Sequence, residues 1–123
     1  MIKGLATVIY PAPDLPRARA WYAAAFRQQP YFDQPYYVGF DIAGYELGLD
    51  PNQTISTPGQ NGGVAYWRVD DITEAVDHFV AAGARLVTGI KDVGGGISVA
   101  TIADPFGTLI GLIENPNFSL PAA

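Results

Sequence analysis

The feature that most constrains this chain is that it repeats itself. Displaced by 57 residues, TVIYPAPDLPRARAWYAAA (7–25) lies over VAYWRVDDITEAVDHFVAA (64–82), so that Asp14 meets Asp71, Leu15 meets Ile72 and Ala18 meets Ala75. Identity is low, but each copy reads as an apolar strand, an aspartate at a helix N-cap and an amphipathic helix. The apolar helix positions are 18, 22, 25 and 26 in the first copy and 75, 76, 79 and 80 in the second. Asp71 and Glu74 have the spacing of a capping box, and Gly83 is placed to stop the second helix.

A displacement of 63 then lays FDIAGYELGL (40–49) over ADPFGTLIGL (103–112), matching Asp41 with Asp104, Gly44 with Gly107, Gly48 with Gly111 and Leu49 with Leu112. Each Asp-x-x-Gly predicts a four-residue hairpin turn, the aspartate bonding nearby backbone and the glycine taking a positive φ. Across these turns the expected pairs are Tyr37 with Gly48, Gly39 with Glu46, Ala100 with Gly111 and Ile102 with Leu109. The repeating unit is strand, helix and three strands. Module one is expected over about 1–52, a linker over about 53–62 and module two over about 63–117, within a single domain of 123 residues.

Composition narrows the partners. Seven Lys and Arg against twelve Asp and Glu give a net charge of −5 with no basic cluster, so nucleic acid and anionic membranes are expected to be repelled. The absence of cysteine removes disulfides, thiolate nucleophiles and zinc–thiolate sites. The opening MIKGLATVIYPAPDL is too short an apolar run for a signal peptide, and the expected location is the cytoplasm. DVGGGI (92–97) lacks the Lys-Ser/Thr ending of a phosphate loop and fits a hairpin.

The stretches PDLPRARAWYAAAF, VDDITEAVDHFVAAGARLV and DVGGGISVATIADPFGTLIGLIE, in this order and spacing, resemble the vicinal oxygen chelate superfamily of glyoxalase I, bleomycin-resistance proteins and extradiol dioxygenases. The resemblance implies an α+β fold: two βαβββ modules forming a curved mixed sheet around a cleft, with helices outside. It also implies that metal-dependent relatives take ligands from the first and last strand of each module. Carried onto this chain, those positions are Thr7, Gly48, Val64 and Gly111, none of them His, Glu, Asp or Gln. No metal and no other cofactor is therefore expected.

Glu46, two residues before Gly48, points to the same face by strand alternation and is the one candidate catalytic group. His78, the single histidine, falls with Glu74, Asp77 and Ala81 on the outer stripe of its helix. Alternation also turns Thr7, Ile9, Tyr66 and Arg68 toward the cleft and Trp67 toward the helix. The expected ligand-binding set is Thr7, Tyr37, Glu46, Gly48, Val64, Tyr66, Arg68 and Gly111, with the two glycines making room. The resemblance implies a metal-free small-molecule-binding protein of the bleomycin-resistance type, or a glyoxalase-like lyase, isomerase or dioxygenase-related enzyme with a divergent site. It further implies a homodimer.

Overall fold

A computed structural model describes residues 5–52 and 64–116; the expected linker, 53–62, lies outside them. Element order is β1 (Thr7–Pro11), α1 (Leu15–Phe26), β2 (Phe32–Gln34), β3 (Tyr37–Ile42), β4 (Tyr45–Asp50), β5 (Tyr66–Arg68), α2 (Ile72–Ala81), β6 (Arg85–Gly94), β7 (Ile97–Ala103) and β8 (Leu109–Glu114). Strand, helix and three strands thus occur twice. Two four-stranded mixed sheets result, ordered β1-β4-β3-β2 and β5-β8-β7-β6, with β1–β4 and β5–β8 parallel and the remaining pairs antiparallel. The fold is α+β, built of βαβββ modules, and the chain divides into two compact units, Met1–Gly62 with Phe106–Thr108 and Gly63–Pro105 with Leu109–Ala123.

In the first unit Asp14 caps α1 by accepting from the Arg17 N–H at 3.3 Å. The helix buries Leu15, Ala18, Tyr22 and Ala25. They face the side of the sheet that carries Tyr10, Val38, Phe40, Leu47 and Leu49, all buried; the rings of Tyr10 and Tyr22 lie 5.9 Å apart. Alternation along the strands then leaves Thr7, Ile9, Phe32, Gln34, Tyr37, Gly39, Asp41, Glu46, Gly48 and Asp50 on the opposite, open face.

In the second unit Asp71 accepts from the Glu74 N–H at 3.1 Å, and the Glu114 carboxylate on β8 accepts from the Ile72 N–H at 2.9 Å. Two side chains thus satisfy the first turn of α2. Gly83 ends the helix at φ +108°, with the Ala84 N–H donating to the Phe79 carbonyl at 3.0 Å. Ile72, Val76 and Phe79 are buried, as are Ala100, Ile102, Ile110 and Leu112 of the sheet. Val80, expected on the apolar stripe, is 45% exposed. His78 is half-buried rather than solvated, because its ring stands edge-on to Phe79 at 5.3 Å.

The two hairpins differ although both carry Asp-x-x-Gly. In the first, the ladder continues to Ile42–Tyr45, leaving Ala43 and Gly44 as the whole turn at φ +52° and +95°. Asp41 Oδ1 accepts from the Gly44 N–H at 2.8 Å, as expected. The tighter turn moves the register by two: Gly39 pairs with Gly48 and Asp41 with Glu46, not Tyr37 with Gly48 or Gly39 with Glu46. Faces are conserved by an even shift.

In the second hairpin the last pair is Ala103–Leu109, so residues 104–108 form a longer loop and the register moves by one. Thr101 pairs with Gly111, and Ile102 with Ile110, in place of the expected Ala100–Gly111 and Ile102–Leu109. An odd shift exchanges the faces. Ala100 and Ile102, 1% and 0% exposed, therefore belong to the helix-side core and not to the face of Gly111. Residues 92–97 form the β6–β7 hairpin, with Gly94, Gly95 and Gly96 all at positive φ. Among the described residues no helix is long and apolar enough to cross a membrane.

Candidate functional site

On the open face of the first sheet three hydroxyls converge on the Glu46 carboxylate, whose cross-strand partner Asp41 shares the face and accepts from the Gly44 N–H. Thr7 is the parallel-strand neighbour of Glu46, and Thr7 Oγ1 donates to Glu46 Oε1 at 2.7 Å. The Tyr37 hydroxyl, from β3, donates to the same oxygen at 2.7 Å. The Tyr31 hydroxyl donates to Oε2. Tyr31 itself is fixed by its backbone, whose N–H donates to the Gly39 carbonyl at 3.0 Å. None of the three hydroxyl partners carries a positive charge.

The glycines permit this arrangement. A Cβ at Gly39 would stand 2.8 Å from Glu46 Oε2 and 3.2 Å from Tyr31 Cε1, so the missing side chain is the seat of the carboxylate and of the Tyr31 ring. At Gly48 a Cβ would meet the Tyr37 ring, with Cζ at 2.7 Å and Cε1 at 3.1 Å. The paired glycines 39 and 48 thus form a shallow gap across two strands, filled by the chain's own Tyr31, Tyr37 and Glu46.

The proton affinities follow from the contacts. Partial burial pushes the Glu46 carboxyl up, but the hydroxyls of Tyr31, Tyr37 and Thr7 together outweigh it and leave the group below its ordinary value. The Tyr37 phenol is pushed up to about 12, first by desolvation and then by its bond to the Glu46 anion. Tyr31 is raised as well, chiefly by its bond to Glu46. At neutral pH the cluster is one anion held by three neutral donors.

The second unit carries the corresponding face without the corresponding chemistry. Tyr66 pairs with Gly111 and Arg68 with Ile113, repeating the Ile9–Gly48 relation of the first sheet. A Cβ at Gly111 would meet Tyr66 Cγ and Cδ2 at 2.6 Å and the Ala65 carbonyl oxygen at 2.9 Å, so the space at this glycine too is taken by a tyrosine. Tyr66 is 48% exposed and Arg68 is exposed. Val64 precedes β5 in the position of Thr7, and Leu109 stands in the position of Glu46.

Of the expected site residues, then, Thr7, Tyr37, Glu46 and Gly48 come together on one face, and Tyr66, Arg68 and Gly111 lie on the open face of the other unit with Val64 at its edge. Tyr31 is the member that the sequence did not reveal. It lies before β2, outside any strand, and only its pairing to Gly39 brings the hydroxyl back over β4.

As a donor set for a metal, the first face offers the carboxylates of Glu46 and of its cross-strand partner Asp41, the latter turned to the Gly44 N–H, with neutral hydroxyls, and the corresponding positions of the second unit hold Val64 and Leu109. Among the described residues no group of three or more His, Cys, Asp or Glu is placed to hold an ion. These residues do not fit the multi-ligand site that metal-dependent enzymes of this fold would need.

Residues 4–112 match the family model of the Glyoxalase/Bleomycin resistance protein/Dioxygenase superfamily. Among solved structures, the chain is similar to a glyoxalase-related enzyme from Fulvimarina pelagi at a TM-score of 0.77 and 20% identity, covering 98% of this chain and 94% of that one. It is similar to the fosfomycin resistance protein FosX from Listeria monocytogenes at a TM-score of 0.76 and 17% identity, covering 95% and 97%. It is also similar to a bleomycin resistance determinant encoded on the transposon Tn5, at 0.70 and 21%, covering 93% and 99%. No curated protein gives a significant match. Identities this low speak for the fold, while the family match spans nearly the whole chain. This chain belongs to the Glyoxalase/Bleomycin resistance protein/Dioxygenase superfamily.

Proposed function

We propose that the protein binds a small molecule without a metal and without changing it, in the manner of the superfamily's bleomycin-resistance branch. The observation that carries this reading is the Glu46 cluster. Among the described residues its carboxylate is a structured anion held by three neutral hydroxyls, a convergent polar group beside aromatic rings, as ligand sites commonly show. Thr7, Glu46 and Tyr37, whose ring is seated on Gly48, are the proposed contacts on the face of the first unit. The face of the second unit, with Val64, Tyr66 and Arg68 beside Gly111, is proposed as a contact surface in its own right.

The enzyme alternative, a glyoxalase-like lyase or isomerase using Glu46 as general base, is weakened by the same contacts. A base takes up a proton most readily when its proton affinity is raised toward the working pH, and here three donors lower it. A homodimer in the cytoplasm belongs to the proposal. It is supported by β6, an edge strand exposing Leu86, Val87, Ile90 and Val93, since an open edge of this kind is relieved by pairing with a second copy.

The test is a thermal-shift screen of flat aromatic and amphipathic compounds, with elemental analysis of the same preparation. Hits that stabilise a protein carrying far less than one metal ion per chain support the reading. Turnover of a superfamily substrate by a stoichiometrically metallated preparation would replace it with the enzyme alternative.

A further inference from the structure

The Glu46 face also specifies the charge of its ligand. A carboxylate offers about four acceptor directions. Oε1 uses two, on Thr7 and Tyr37, whereas Oε2 uses one, on Tyr31. Among the described residues no second donor meets Oε2, which leaves one direction for a donor from outside, and the hydroxyls that orient the anion leave its charge in place. Arg19 of α1 is committed to Asp33 of β2 at 2.8 Å, a residue that alternation turns away from Phe32 and from the open face.

Beside the anion stand its cross-strand partner Asp41, a second carboxylate, and a set of aromatic rings. Tyr31 and Tyr36 are each 62% exposed and Phe32 is 37% exposed. The Phe32 ring lies 6.1 Å from both Tyr36 and Tyr37, inclined at 68° and 61°, so the rings form a corner rather than a flat stack. Ring faces carry negative potential and attract cations. A carboxylate beside them attracts the same partner. A hydrated inorganic ion could use the carboxylate but would gain nothing from apolar ring surface, and an anionic ligand would be opposed by both.

Resting on the reading of this face as a small-molecule site, we propose that its ligand is an organic ammonium: one N–H donates to the remaining acceptor direction of Glu46 Oε2, and the apolar body lies against Phe32 and Tyr36.

The experiment compares phenethylammonium with its neutral counterpart phenethyl alcohol, each titrated at pH 7 into the wild-type protein and into Glu46→Gln, with amide NMR shifts as the readout. On the wild type the ammonium binds about tenfold or more tighter than the alcohol, as a charge-assisted contact requires, and the shifts centre on Thr7, Gly39 and Glu46. In Glu46→Gln the preference falls to within about twofold. The wild-type preference needs no variant, so it stands as a test even if Glu46→Gln fails to fold. Equal binding of both probes by the wild type would overturn the ammonium inference and leave the small-molecule reading intact. Failure of both probes up to their solubility would count against both. A preference that persists in folded Glu46→Gln would show that another group reads the charge and would overturn the assignment to Glu46.

Discussion

The Tyr37 ring lies across Gly48: a Cβ on residue 48 would stand 2.7 Å from Tyr37 Cζ, inside the space the ring occupies. The glycine that alternation places on the open face is therefore a seat for a tyrosine, and that tyrosine reaches Glu46.

Gly48→Ala should accordingly move Tyr37 off the carboxylate. Overpacking of this kind typically costs about 1–3 kcal/mol, and chemical denaturation of the variant should show a loss in that range. Paired with Tyr37→Ala in a double-mutant cycle, the two changes should be far from additive, because removing the ring removes the clash. Additive effects would mean that Gly48 serves the backbone alone.

Gly111→Ala should cost more than Gly48→Ala. At Gly111 the obstructing atoms are the inner ring atoms of Tyr66 and the backbone carbonyl of Ala65, and that carbonyl accepts the Gly111 N–H at 2.8 Å. A ring tip can swing aside, whereas a hydrogen-bonded carbonyl in a parallel ladder has little freedom. Denaturation midpoints of the two variants in one buffer give the ranking; the reverse order would contradict this packing.

Spectrophotometric titration should find two tyrosines, Tyr37 and Tyr31, ionising above the usual value. Tyr37 should ionise near 12, and Tyr31 above its usual value of 10. In Glu46→Gln, where the anion is gone, Tyr31 should move down toward 10, while Tyr37 should move down only in part because desolvation, its larger cause, remains. The linked stability has a definite sign. A phenol whose folded value is raised favours the folded state fully below pH 10, and that contribution is lost as pH climbs from 10 through about 12. Wild-type stability should fall more steeply across that window than that of Tyr37→Phe. Parallel curves would show that Tyr37 is not coupled to folding.

Much of the architecture was legible in the repeat. Asp14, Asp71 and Gly83 act where the sequence places them, because caps are local chemistry. The registers were not legible, because Asp-x-x-Gly serves both a two-residue turn at Ala43-Gly44 and the longer 104–108 loop. The even error left Tyr37, Glu46 and Gly48 on one face, while the odd error assigned Ala100 and Ile102 to the wrong side. Within the candidate site, Thr7 and Glu46 follow from alternation. The role of Gly48 does not, since what fills a missing side chain depends on a rotamer of Tyr37. Tyr31 could not be found, because it reaches Glu46 from outside any strand.

Metal-independent binding at the Glu46 face is tested most directly by amide NMR on protein stripped with a chelator and checked for metal content. Compounds that stabilise the untreated protein should bind the stripped protein with unchanged affinity and shift the amides of Thr7, Tyr37 and Glu46. Loss of binding on stripping, restored by one equivalent of a divalent ion, would contradict the account.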